Sequence, residues 1–204
     1  ISAPTVIPAG GSINVDVESL IPLDQDSGID TIGIIRATGI AGTTVLDVTH
    51  NFNIQAENNL EIKKIKAIAE EDTDSVSSDG DAFNFNSDED PRPGEEITFE
   101  IEVENTFNDN IDIDDVEITI INDEDLDWDE TDDAGTLNDG EEYTAEFTFD
   151  IDTDIDEDTY TLEIEVVGED ENGARHREIW EVEIEVVKED DDLRIDNAQF
   201  SPSY

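Results

Sequence analysis

The run PRPGEEITFEIEVEN, residues 91–105, decides the fold. Pro91, Pro93 and Gly94 supply turn chemistry, and from Ile97 onward apolar and polar residues alternate strictly. Ile97, Phe99, Ile101 and Val103 fall on one side, and Thr98, Glu100, Glu102 and Glu104 on the other. A period of two places successive side chains on opposite faces of a strand, so this strand has one buried face and one in water. The same alternation recurs in Val116–Ile120, Tyr143–Ile151, Tyr160–Val166 and Trp180–Val186. Asn172-Gly173 separates the last two runs and is a hairpin turn signal. Many short alternating strands without a long helical pattern predict an all-β chain of antiparallel β-sandwiches.

Leu60 to Glu71 (LEIKKIKAIAEE) is ambiguous, because Ile62, Ile65 and Ala69 also share a helical face. A strand is the better reading if a bulge near Lys63-Lys64 keeps Ile65 and Ala67 facing inward. Its lysines should then lie beside acidic strands. Residues 1–59 are less acidic and richer in Gly, Thr and Ala. Ile13, Val15 and Val17 alternate there, as do Leu46, Val48, His50, Phe52 and Ile54, with Gly39 and Gly42 between the runs. The expected organisation is a small Ig-like β domain over 1–59 and a linker at Ala56–Asn59. An acidic Ig-like sandwich over 60–189 and a trailing strand over 190–204 complete it. Leu193, Ile195, Ala198 and Phe200 carry that last strand. Phe200-Ser201-Pro202-Ser203-Tyr204 echoes Ser2-Ala3-Pro4-Thr5-Val6, as if a further repeat begins there.

Charge bounds function. Fifty-nine Asp or Glu face nine Lys or Arg, a formal net charge of −50. A disordered acidic chain is excluded by the ordered alternation of a 35% hydrophobic content. Such a surface repels itself strongly unless salt screens it, and the screening length falls from about 8 Å at physiological ionic strength to about 3 Å at molar salt. The sequence therefore predicts a halophilic setting, with hydrated cations as its counterions. A polyanion such as nucleic acid is excluded as a partner. No apolar run approaches the roughly 18 residues of a membrane helix. Cysteine is absent, which removes disulfides, thiolate metal sites and cysteine nucleophiles. Methionine is absent too, which suggests a processed chain.

With 59 acids, some carboxylate pair always sits at a tempting spacing, so none can be singled out as catalytic. No G-x-S-x-G nucleophile elbow occurs. Two acidic rows could hold a hard cation. Asp72, Asp74, Asp79 and Asp81 flank Gly80 in an expected loop, where calcium is the candidate ion. Asp150, Asp152, Asp154, Asp156 and Asp158 alternate in the second row. Neither has the EF-hand pattern. His50 falls on the inward face of its run, and His176, between two arginines by a turn, reads as solvated. Trp180 is in phase with the core. Trp128 in DLDWDE is not, and is read either as an edge-strand packing residue or as a partner or sugar contact.

The Pro-x-Gly turn of residues 91–105, leading into an alternating strand that ends in Asn, resembles the opening of Ig-like repeats of archaeal and bacterial surface proteins, of the CARDB and S-layer-associated type. Pro8-Ala9-Gly10 before Ser12–Val17 repeats it weakly. Asp158-Thr159-Tyr160 resembles the step into the penultimate strand, where such domains place a tyrosine corner. The resemblance implies modules of cell-surface proteins and no catalytic residues. Joined to the charge, it implies an exported protein of a halophilic archaeon. The expected function is that of a non-enzymatic extracellular homopolymer: a filament, sheath or S-layer-like lattice subunit assembled by strand exchange through Leu193–Phe200. The alternative is a carbohydrate- or partner-binding module of a secreted or surface-anchored adhesin or hydrolase.

Overall fold

The computed structural model describes residues 6–8, 11–69, 72–85, 90–122 and 126–188. Ten strands follow in chain order: β1 (Gly28–Ala41), β2 (Thr44–Ala56), β3 (Leu60–Ala69), β4 (Asp72–Val76) and β5 (Glu96–Asn105) come first. β6 (Ile113–Asn122), β7 (Trp128–Leu137), β8 (Glu142–Asp150), β9 (Asp158–Asp170) and β10 (Arg175–Val186) complete the set. No helix occurs among the described residues, and none is long and apolar enough to cross a membrane. The chain is all-β.

β3 to β10 form two four-stranded antiparallel sheets, ordered β4-β3-β5-β8 and β10-β9-β6-β7. Their inner faces meet in one core that includes Leu60, Ile65, Phe99, Ile101, Ile118 and Ile164, all at 0% exposure. Burying each such side chain contributes about 1.5–3 kcal/mol. The alternation explains this directly, because β5 reads buried at every second residue from Ile97 to Asn105. β3 is a strand, and its register shifts between Ile62 and Lys64, so Ile65 and Ala67 turn inward. Outside, Lys66 Nζ lies 3.1 Å from Glu100 and Lys63 Nζ 3.0 Å from Glu104, as the lysine cluster predicts.

Four local devices finish the sandwich. The Pro-x-Gly turn puts Gly94 at φ 88°, and its N–H donates to the Ile151 carbonyl at 2.7 Å. Asn105, at 0% exposure, donates to the carbonyls of Ile111 (3.0 Å) and Leu137 (2.9 Å) and accepts from the Phe107 N–H (3.1 Å). Tyr160 forms the expected corner, its hydroxyl donating to the Asp156 carbonyl at 2.7 Å. Gly168 is needed for space: a Cβ there would sit 2.6 Å from Ile113 Cγ2.

Residues 1–59 contain one regular unit among the described residues, the β1–β2 hairpin. Ile13, Val15 and Val17 alternate but form no strand; they are 49, 59 and 45% exposed. The trailing strand expected at 190–204 lies outside the described residues.

Candidate functional site

β1 and β2 are joined by Gly42-Thr43, with Gly42 at φ 63°. Glycine at the first central position suits a tight hairpin turn. The register sets Ile35 opposite His50, Ala37 opposite Val48 and Gly39 opposite Leu46, and the ladder slips between Thr31 and Gly33. One face therefore carries Ile35, Ala37, Leu46, Val48, Phe52 and Ile54. The other interleaves Ile29, Ile34, Ile40 and Val45 with threonines, asparagines and the Arg36–Asp47 pair (Nε to Oδ1 2.8 Å). Ile54 is buried, and Val17–Ile21 lie beside it and Phe52. Farther out the apolar face is open: Leu46 is 53% and Val48 65% exposed. His50 is exposed as well, beyond the part of this face that Val17–Ile21 adjoin.

The hairpin is also far less charged than the sandwich. Residues 28–56 hold two acids, Asp30 and Asp47, and one base, Arg36, a net charge of −1. Residues 60–188 hold 47 acids and 7 bases, a net charge of −40. A two-stranded hairpin is marginal by itself, and this one leaves Ile29, Ile34, Ile40, Leu46 and Val48 exposed.

Its base is fixed to the sandwich by hydrogen bonds to the start of β10. Ser27 N–H donates to the Arg175 carbonyl at 2.8 Å, and Asp26 accepts from Arg175 N–H at 2.9 Å. Asn58 Oδ1 accepts from Arg177 N–H at 3.1 Å, and Asn59 N–H donates to His176 Nδ1 at 3.1 Å. These contacts frame a shallow cleft of about 710 Å³, lined among others by Gln55, Asn58, Glu61, Thr106 and Arg177.

His176 is not solvated. It is 3% exposed and stands edge-on to Phe107, with ring centroids 5.2 Å apart. Since Nδ1 accepts a hydrogen bond, the neutral ring carries its proton on Nε2. That nitrogen is buried without a hydrogen-bond partner, 3.6 Å from Asp170 Oδ2. Burial pushes the His176 pKa down against the opposing pull of Asp170 and Asp26. The signal for this was its phase: His176 lies on the same side of β10 as Trp180, Val182 and Ile184. Glu178 shares that side. Its Oε2 accepts from Ile62 N–H at 2.5 Å and its Oε1 from Trp180 Nε1 at 3.2 Å, and burial raises its pKa.

The acidic row at 72–81 does not converge. Asp72 and Asp74 lie on β4, a strand where a loop was expected. Asp74 accepts from Asn84 N–H at 2.7 Å, and Asp79 from Glu181 N–H at 2.8 Å. Glu183 N–H donates to the Asp81 carbonyl at 3.0 Å, and Ala82 makes a parallel bridge to Glu183. This segment thus covers the free edge of β10, which an open sheet needs. No group of three or more His, Cys, Asp or Glu suited to a metal occurs among the described residues. The second row is likewise dispersed, with Asp156 paired to Lys188 at 3.2 Å.

Trp128 opens edge strand β7 and packs inward. It is 5% exposed and stacks on Phe149 with centroids 4.5 Å apart, with Phe99 edge-on at 6.1 Å. Edge-strand packing is its place, and its ring has no free face for a sugar or a partner. Leu193, Ile195, Ala198 and Phe200 lie outside the described residues. No protein-family model matches the chain, and no curated protein matches it.

Proposed function

We propose that this chain is a non-enzymatic structural module of a cell surface, a subunit of a filament, sheath or lattice that works in concentrated salt. The observation that carries the reading is the division of the molecule into two parts. The sandwich carries a net charge of −40, while the hairpin offers exposed aliphatic side chains at a net charge of −1. Self-association confined to that end is what such a surface supports. Extracellular placement and a halophilic archaeal source follow from the charge and from the resemblance to surface repeats. Hydrated cations serve as counterions, and the reading requires no calcium or other cofactor.

Electron micrographs and sedimentation of the full chain in about 3 M KCl, where screening is nearly complete, test the reading. Ordered polymers are expected. A monodisperse monomer at every accessible concentration refutes it.

A further inference from the structure

The β1–β2 hairpin is built like the last hairpin of the sandwich. Asp30-Thr31 near the start of β1 matches Asp158-Thr159 at the start of β9. Gly39 and Gly168 each stand shortly before the turn, on the face that in β9 looks into the core. Both turns hold a left-handed glycine, Gly42 at φ 63° and Gly173 at φ 86°. The phase is also shared. Counted from the two glycines, Gly39–Leu46 and Ala37–Val48 of β1–β2 fall where β9–β10 has Gly168–His176 and Val166–Glu178, on the side that faces the core.

After each hairpin a short connection leads to the pattern Leu-x-Ile: Leu60-Glu61-Ile62 after β2, and Leu193-Arg194-Ile195 after β10. The first of these opens β3, with Leu60 and Ile62 buried. β3 packs across the sandwich on β9 and β10, the hairpin that comes after it in the chain. By the same rule, the second Leu-x-Ile pattern calls for a hairpin with an open inner face. The β1–β2 hairpin of another copy has one.

Reach keeps Leu193 and Ile195 from the hairpin of the same copy. The hairpin joins the sandwich at the Arg175 end of β10, and Lys188 follows the opposite end. β10 spans about 36 Å at 3.3 Å per residue. Leu193 lies five residues beyond Lys188, at most about 18 Å away, and Ile195 at most about 25 Å. Charge permits the contact, since Leu193–Phe200 holds one Arg and one Asp. We propose that Leu193–Phe200 of one copy packs on the Ile35–Ala37–Leu46–Val48 face of the hairpin of the next copy, as β3 packs on β9–β10. Donor and acceptor surfaces differ, so the contact is heterologous and propagates head to tail. The proposal rests on the structural-subunit reading and names the surface that joins its units.

The chain has no cysteine, so cysteine pairs report the contact without background. Val48 is 65% exposed and tolerates Val48→Cys. Two single variants, Val48→Cys and Ile195→Cys, are mixed at about 3 M KCl and oxidised, beside a control in which Thr49→Cys on the opposite face replaces Val48→Cys. Circular dichroism verifies the fold of each. The expected result is a mixed disulfide dimer at least about fivefold above the control, and a ladder of multimers from the full chain carrying both Val48→Cys and Ile195→Cys. Three results overturn the proposal: an intrachain disulfide in the double variant, dominance of 48–48 dimers, or no excess over the control. Filaments without the tail–hairpin crosslink sink this contact alone. A disulfide ladder from a protein that forms no ordered polymer keeps the contact and sinks the structural-subunit reading.

Discussion

Replacing Asn105 by Ala should cost the sandwich about 4 kcal/mol. The side chain ends β5 at 0% exposure and holds three backbone groups: the carbonyls of Leu137 and Ile111 and the N–H of Phe107. The bond to Leu137 is fully buried, so its carbonyl loses its partner without gaining water, about 2 kcal/mol. The other two groups are part-buried and regain some hydration, at about 1 kcal/mol each. For a domain of this size, 1 kcal/mol corresponds to about 4 °C in Tm, so the expected drop is near 16 °C. Thermal unfolding by circular dichroism at constant molar salt measures it. Asn105→Asp is the informative companion. It keeps the shape and the acceptor for Phe107 but loses both donors and buries a charge, so it should be no better than Ala. A loss under about 1 kcal/mol for either variant would refute the argument that this amide ties the end of β5 to the loop and to β7.

Three further outcomes are expected. Lowering salt from about 3 M to about 0.1 M KCl at fixed pH should unfold the sandwich, because Glu100 faces Glu146, Glu104 faces Glu142 and Glu163 faces Glu181 on the outer sides of the sheets; an unchanged Tm would contradict this. Tyr160→Phe keeps the buried ring and removes the hydroxyl that meets the Asp156 carbonyl, so urea titration should show a loss of about 1 kcal/mol, and no loss would deny the corner any role. The His176 pKa is held below its ordinary value of 6.5, so the folded state binds that proton less readily than the unfolded chain. Its contribution is complete above about pH 6.5 and is lost as pH falls below it. His176→Asn, which can still accept from Asn59 N–H, should flatten the fall in Tm between about pH 7.5 and 5.5; the raised pKa of Glu178 acts oppositely, its contribution fading as pH rises above 4.5.

What could be read from the sequence was whatever the period-two rule governs. β5, β8, β9 and β10 alternate because one side of each meets the core and the other meets brine. The Lys63–Lys64 bulge was legible because only a slip keeps Ile65 and Ala67 buried. β7 was not legible. As an edge strand it buries Trp128 and Leu137 at its two ends and exposes or half-exposes everything between, so no alternation survives. β4 has one buried residue, Val76, and its aspartates looked like a ligand loop. His176 was misread from its arginine neighbours, although its phase along β10 was visible. The strand expected at Ile13–Val17 failed for a different reason. Alternation predicts a strand only when a ladder partner exists, and among the described residues this segment has none.

The hairpin's two faces and the sandwich's charge lead to a constraint on how copies can meet. Side-by-side contact would bring two surfaces of net charge −40 together and leave the aliphatic side chains in water. Contact through the hairpin buries those side chains and keeps the charged sandwiches one hairpin apart. A strand of 13 residues spans about 40 Å, several screening lengths even at physiological ionic strength. Salt then plays two separable parts. It holds each sandwich together against the repulsion of its facing glutamates, and it has little to do at the hairpin, where charge is almost absent. Polymer contacts built on the hairpin should therefore outlast moderate dilution of salt up to the point at which the sandwich itself unfolds. Light scattering and circular dichroism followed together through such a dilution should change in a single step. Disassembly well before loss of β-structure would place the joining contacts on the charged sandwich instead.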